Sequence, residues 1–110
     1  MKAPITTHIL DLQTGQPAAG VTVRLSSADG ELSASGVTDS DGRINDWGQT
    51  FQLTDGHYQL RFDTGEWAAA NSRECFFPEV TLSFVVESTR PHYHVPLLLS
   101  PFGYSTYRGS

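Results

Sequence analysis

Apolar residues recur at every second position along most of this chain. Val21, Val23 and Leu25 alternate with Thr22, Arg24 and Ser26, and Tyr58, Leu60 and Phe62 alternate with Gln59, Arg61 and Asp63. Val80, Leu82, Phe84 and Val86 fill every second position of a further run, with Thr81 and Ser83 between them. A period of two places each apolar set on one face of a strand. Turn-forming clusters separate the runs: Thr14-Gly15-Gln16-Pro17, Ala28-Asp29-Gly30, Ser40-Asp41-Gly42, Thr54-Asp55-Gly56 and Ser100-Pro101-Phe102-Gly103. The pattern predicts strands over 5–12, 21–28, 32–38, 44–47, 57–63, 80–87, 91–99 and 103–108. One segment departs from it. Gly65 to Ser72 holds the alanine-rich stretch Trp67-Ala68-Ala69-Ala70, with Thr64 available as an N-cap and Glu66 near the N-terminus, and predicts a single short helix. Eight short strands and one helix predict an all-β sandwich of two packed antiparallel sheets.

Composition narrows the class. At 110 residues the chain fits one domain, 1–110, with a core of its own. With 38% hydrophobic and 17% charged residues it is not a disordered acidic tail. Seven Lys+Arg against twelve Asp+Glu give −5, with no basic cluster, which argues against binding nucleic acid or an anionic membrane surface. No apolar run approaches the 18 or so residues of a membrane span. The start, Met1-Lys2-Ala3-Pro4-Ile5-Thr6, lacks a secretory pattern, so a cytoplasmic setting is expected, or a periplasmic one had a leader been removed. Cys75 stands alone, which excludes an intramolecular disulfide and a thiolate zinc cluster.

Candidate chemistry is sparse. His92 and His94 are two apart and share a face if they lie on a strand, so they could bind zinc with His8 as a third ligand. The plainer alternative is two partly exposed strand histidines without a joint role, and His57, following Asp55-Gly56, reads as a solvated turn residue. Asp39-Ser40-Asp41-Gly42 opens like a calcium loop, but Arg43 and Ile44 follow and the later acidic ligands are missing, so it is a turn. No Gly-x-Ser-x-Gly elbow or phosphate loop occurs, and Cys75 neighbours the apolar Phe76-Phe77-Pro78. Residue chemistry alone reaches only histidines with an arginine, suited to acid–base work and to holding an anion.

Longer motifs carry further. His94-Val95-Pro96-Leu97-Leu98-Leu99-Ser100-Pro101, followed by Tyr104-Ser105-Thr106-Tyr107-Arg108-Gly109-Ser110, resembles the transthyretin-related 5-hydroxyisourate hydrolase family. Thr7-His8-Ile9-Leu10-Asp11, Thr38-Asp39-Ser40-Asp41-Gly42-Arg43 and Phe76-Phe77-Pro78-Glu79-Val80 resemble further segments of it, from Ile5 to Ser110. The resemblance implies a transthyretin-like sandwich of two antiparallel four-stranded sheets with one short helix. It implies catalytic roles for His8, Arg43, His94 and Ser110, and substrate binding by His8, Arg43, Tyr107 and Arg108. Transthyretins, the hormone carriers of this superfamily, have a lysine and a glutamate at the positions of His8 and Arg43, so those residues favour hydrolase over carrier. The implied reaction opens the ring of 5-hydroxyisourate without metal or organic cofactor, in a homotetramer built as a dimer of dimers. A small-ligand carrier without catalytic activity is the alternative.

Overall fold

The computed structural model describes residues 2–110. In chain order the elements are β1 (Ile5–Asp11), β2 (Gln16–Pro17), β3 (Thr22–Ser27), β4 (Ser33–Val37), β5 (Arg43–Ile44), β6 (Gly56–Phe62), α1 (Thr64–Ala70), β7 (Val80–Val86), β8 (Tyr93–Ser100) and β9 (Gly103–Thr106). One sheet runs β4-β3-β6-β7 and is antiparallel throughout. The other runs β2-β1-β8-β9, with β5 also paired to β1.

The all-β, two-sheet prediction stands, and two details of it are corrected. The second sheet has five strands rather than four, because it also holds the two-residue β2, and the strand predicted over 44–47 is reduced to the two residues of β5. Segments that short are too brief to show alternation. Its central pair, β1 with β8, is parallel, from Ile5 opposite Tyr93 to Asp11 opposite Leu99. Parallel neighbours need a long crossover instead of a hairpin turn, and here nearly the whole chain forms it.

The core lies between the sheets. Ile5, Ile9, Val23, Leu25, Leu60, Phe62, Val80 and Leu97 are essentially inaccessible to solvent. Both tryptophans use their indole N–H inside: Trp47 donates to the Ile5 carbonyl at 2.8 Å and Trp67 to that of Ala19 at 3.0 Å. Such pairing removes the cost of burying a polar group among apolar ones.

The helix forms as predicted but starts differently. Asp63 occupies the N-cap position without a side-chain capping bond. The Thr64 hydroxyl instead donates to the Phe77 carbonyl at 2.5 Å, and the Gly65 N–H to that of Pro78 at 2.7 Å. At the other end, Arg73 pairs at 3.1 Å with the buried carboxylate of Asp11, which also accepts from the Thr14 hydroxyl and the Gln13 N–H. Burial alone would raise the Asp11 pKa, but these donors outweigh it and hold the carboxyl below its ordinary range.

Candidate active site

Alternation along β1 sends Ile5, Thr7, Ile9 and Asp11 toward the core and leaves Thr6, His8 and Leu10 on the outer face. In the parallel register Thr6 lies opposite His94 and His8 opposite Pro96. On the other edge of β1, His8 lies opposite Arg43. One sheet face therefore gathers an arginine and three of the four histidines, His8, His92 and His94.

Each is held by a local device. Arg43 leaves a turn in which Asp39 Oδ1 accepts the N–H groups of both Asp41 and Arg43, at 2.9 and 3.0 Å. Gly42 sits in that turn with φ +74, and a Cβ there would lie 2.5 Å from the Ile9 carbonyl oxygen, so only glycine lets the turn press against β1. The segment that opened like a calcium loop thus uses its carboxylate on its own backbone and presents the guanidinium.

His94 is held on both sides. Its Nδ1 lies 2.8 Å from the hydroxyl of Thr6, a residue 1% exposed, and the same hydroxyl lies 3.1 Å from His92 Nε2. The His94 carbonyl accepts the Gly109 N–H at 2.7 Å, and a Cβ on Gly109 would lie 2.6 Å from His94 Cδ2. The glycine lets the last residues pass directly beneath the imidazole. Between them, Pro96 has no N–H to give; its carbonyl takes the Thr106 hydroxyl at 2.7 Å, and the regular β8–β9 ladder ends at Leu97–Thr106. That interruption ends β9 at Thr106, short of the predicted 108.

These groups surround a cleft of about 290 Å³. Of the residues predicted from sequence, Arg43, His94, Tyr107 and Ser110 line it. His8 lies beside it on β1, close enough that the charge on Arg43 acts on both His8 and His94. Arg108 does not reach it. Tyr107 lines both this cleft and a separate 490 Å³ cavity between β7 and the inner side of β8 and β9, and Arg108 lines only the larger one. The larger cavity has no histidine in its wall.

Sequence reasoning overlooked Thr6, Lys2 and Asn45, which also line the cleft, and considered His92 only as a metal ligand. Thr6 carried a usable signal, being two residues before His8 on the same strand face. Lys2 and Asn45 flank strands and had none. Among the described residues no three His, Cys, Asp or Glu side chains converge to hold a metal ion, so the zinc alternative lacks its ligand set.

The wall is cationic although the chain is acidic: Lys2 and Arg43 line it and no carboxylate side chain does. Partial burial, and next the Arg43 guanidinium, hold the His94 and His8 imidazoles below the ordinary value of 6.5. For His8, a hydrogen bond to the Asp41 backbone and the charges of Asp39 and Asp41 offset part of this. Both rings are therefore neutral at neutral pH, the form that accepts protons.

Fold and site together define a β-sandwich protein with a cationic, imidazole-bearing cleft suited to acid–base chemistry. The HIUase/Transthyretin family model matches residues 5–109, and the chain belongs to that family. It is 44% identical over 110 residues to the 5-hydroxyisourate hydrolase of Salmonella dublin, covering 96% of this chain and 80% of that one. Among solved structures it is similar to the 5-hydroxyisourate hydrolase of Klebsiella pneumoniae, with a TM-score of 0.84, 44% identity and coverage of 96% and 98%. Sea bream transthyretin in complex with thyroxine gives a TM-score of 0.86 at 33% identity, with coverage of 97% and 95%.

Proposed function

We propose that this chain hydrolyses 5-hydroxyisourate to 2-oxo-4-hydroxy-4-carboxy-5-ureidoimidazoline, a step of urate degradation. The backbone does not choose between hydrolase and carrier, because a hydrolase and a thyroxine-bound transthyretin fit it almost equally well. The observation that carries the reading is the grouping of two imidazoles, His8 and His94, around the Arg43 guanidinium on one sheet face. That set supplies the base, acid and oxyanion partner that opening a cyclic amide requires, and hydrogen-bonds polar atoms poorly matched to an apolar hormone.

Water attacks the ring carbonyl as one of His8 and His94 accepts its proton, and the imidazolium so formed is the acid from which the leaving nitrogen is protonated, directly or through the other ring. With His94 Nδ1 occupied by Thr6, its Nε2 is the atom left for the cleft. Arg43 neutralises the charge that grows on the attacked oxygen with planar, forked donors already in place. Tyr107 and Ser110 position the substrate from the opposite wall. No step calls for a metal or an organic cofactor. Substrate decay followed by ultraviolet absorbance tests the reading. The protein accelerates it well above the spontaneous rate, with or without chelator, whereas a carrier leaves the spontaneous rate unchanged.

The same reading carries assembly as a homotetramer, a dimer of dimers of this single domain. The edge strands of each sandwich then pair with copies of themselves and hide their open backbone groups.

A further inference from the structure

We infer that the Thr6 hydroxyl ties the protonation of His94 to that of His92, making Thr6 a positioning residue and His92 the store for a proton that His94 takes from the cleft. The inference rests on the hydrolytic reading of the cleft and deepens it. Thr6 Oγ1 is buried between the two rings, 2.8 Å from His94 Nδ1 and 3.1 Å from His92 Nε2. A hydroxyl has one proton to give and can accept others.

If Thr6 donates to His94 Nδ1, neutral His94 carries its proton on Nε2, and His92 must donate from its own Nε2 to Thr6. If Thr6 donates to His92 Nε2, both rings carry their protons on Nδ1, and His94 presents a bare Nε2 to the cleft. With both bonds made, the two neutral rings therefore hold the same tautomer. A hydroxyl accepting from both would leave its own buried O–H without either ring, which is costly.

The second arrangement is the one ready to act. His94 Nε2 takes a proton from the attacking water. The proton on His94 Nδ1 passes to Thr6 Oγ1 as the hydroxyl's own proton passes to His92 Nε2. One proton enters at His94 and one is gained at His92, and Thr6 ends unchanged; running the relay backwards returns the stored proton through Thr6 to His94 Nδ1 as the His94 Nε2 proton goes to the leaving nitrogen, so both rings end as they began.

Register gives the direction of the transfer. Arg43 and His8 stand level with Pro96 on β8, two residues from His94 and four from His92. The charges that act on His94 are those of Arg43, His8, His92 and Lys2, with Tyr107 and Ser110 in the same cleft, so a cation retained on His94 is opposed most by the Arg43 charge. Passing the proton to His92 moves the charge along the strand, away from the guanidinium.

Nitrogen-15 NMR of the histidine rings in the intact protein reads the linkage directly. His92 and His94 are expected in the same tautomer, and Thr6→Val should release each to an independent mixture. In the decay assay Thr6→Val should lower kcat at least about tenfold with KM within about twofold, short of the roughly 10⁴ that a wrong histidine tautomer costs a serine protease. Thr6→Ser, which keeps the hydroxyl, should recover most of the loss. Opposite tautomers in the unmodified protein, or full kcat in Thr6→Val, would overturn the inference. Should Thr6→Val not fold, the unmodified tautomers and Thr6→Ser decide it. An unmodified protein that leaves the substrate at its spontaneous rate would sink the hydrolase reading alone, because the ring tautomers are measured without substrate.

Discussion

On the proposed mechanism the guanidinium of Arg43 has two tasks: it faces the substrate oxygen, and its charge adds to burial in favouring the proton-accepting form of His8 and His94. Arg43→Glu or His94→Asn should each lower turnover at least ~10²-fold, the scale of one lost oxyanion or acid–base group, measured by substrate decay. Arg43→Gln separates the two tasks. Both imidazoles are lowered by burial and then by Arg43, so in the unmodified protein the acidic limb of kcat/KM should fall below pH 6.5. Without the positive charge that limb should move upward, and a limb that stays in place would show that the charge does not set it. The sign for stability is the same. A lowered imidazole pKa means the unfolded chain binds the proton more readily, so this contribution is present above pH 6.5 and is lost as pH falls through the folded value. At this scale the sequence was partly legible. His8, Arg43 and His94 could be named from motifs, whereas Thr6 takes its role from a hydroxyl meeting two rings 86 and 88 positions away, and no local pattern encodes that.

Among the elements, the strands that alternate cleanly were predicted to within one or two residues, because each buries one face against the other sheet. What escaped was set by backbone pairing. β2 was not foreseen, β5 covers two residues where a strand over 44–47 was expected, and β9 stops where Pro96 withholds its N–H. Beyond that stop, Gly109 reattaches the chain to His94 by one backbone bond, and Ser110 reaches the cleft from it. Deleting Ser110 should therefore cut activity while leaving the thermal midpoint nearly unchanged; a large fall in that midpoint would mark the residue as structural. The contact between β1 and Arg73, just after α1, predicts the reverse pattern. Asp11→Asn removes the charge that Arg73, Thr14 and Gln13 satisfy, and should destabilise the fold by about 1–3 kcal/mol in a denaturant titration. Its effect on kcat should be small, since Asp11 points to the core side of β1 and lines no part of the cleft.

For the molecule as a whole, two-sheet architecture followed from alternation, but which strand sits beside which did not, since nothing local specifies a parallel partner at the far end of the chain. A tetramer should elute on a calibrated sizing column at about four times the 12.1 kDa of one chain, and elution as a monomer would refute that assembly. Circular dichroism should show the β-rich spectrum of the sandwich whatever the oligomeric state. The parallel β1–β8 pair has a consequence for biosynthesis. Thr6 and His8 are translated more than 80 residues before His92, His94 and Gly109. The pairing closes a loop of nearly the whole chain, a slow kind of contact to form. Until β8 is made the nascent chain has His8 without His94, so the cleft is assembled only when β1 and β8 meet.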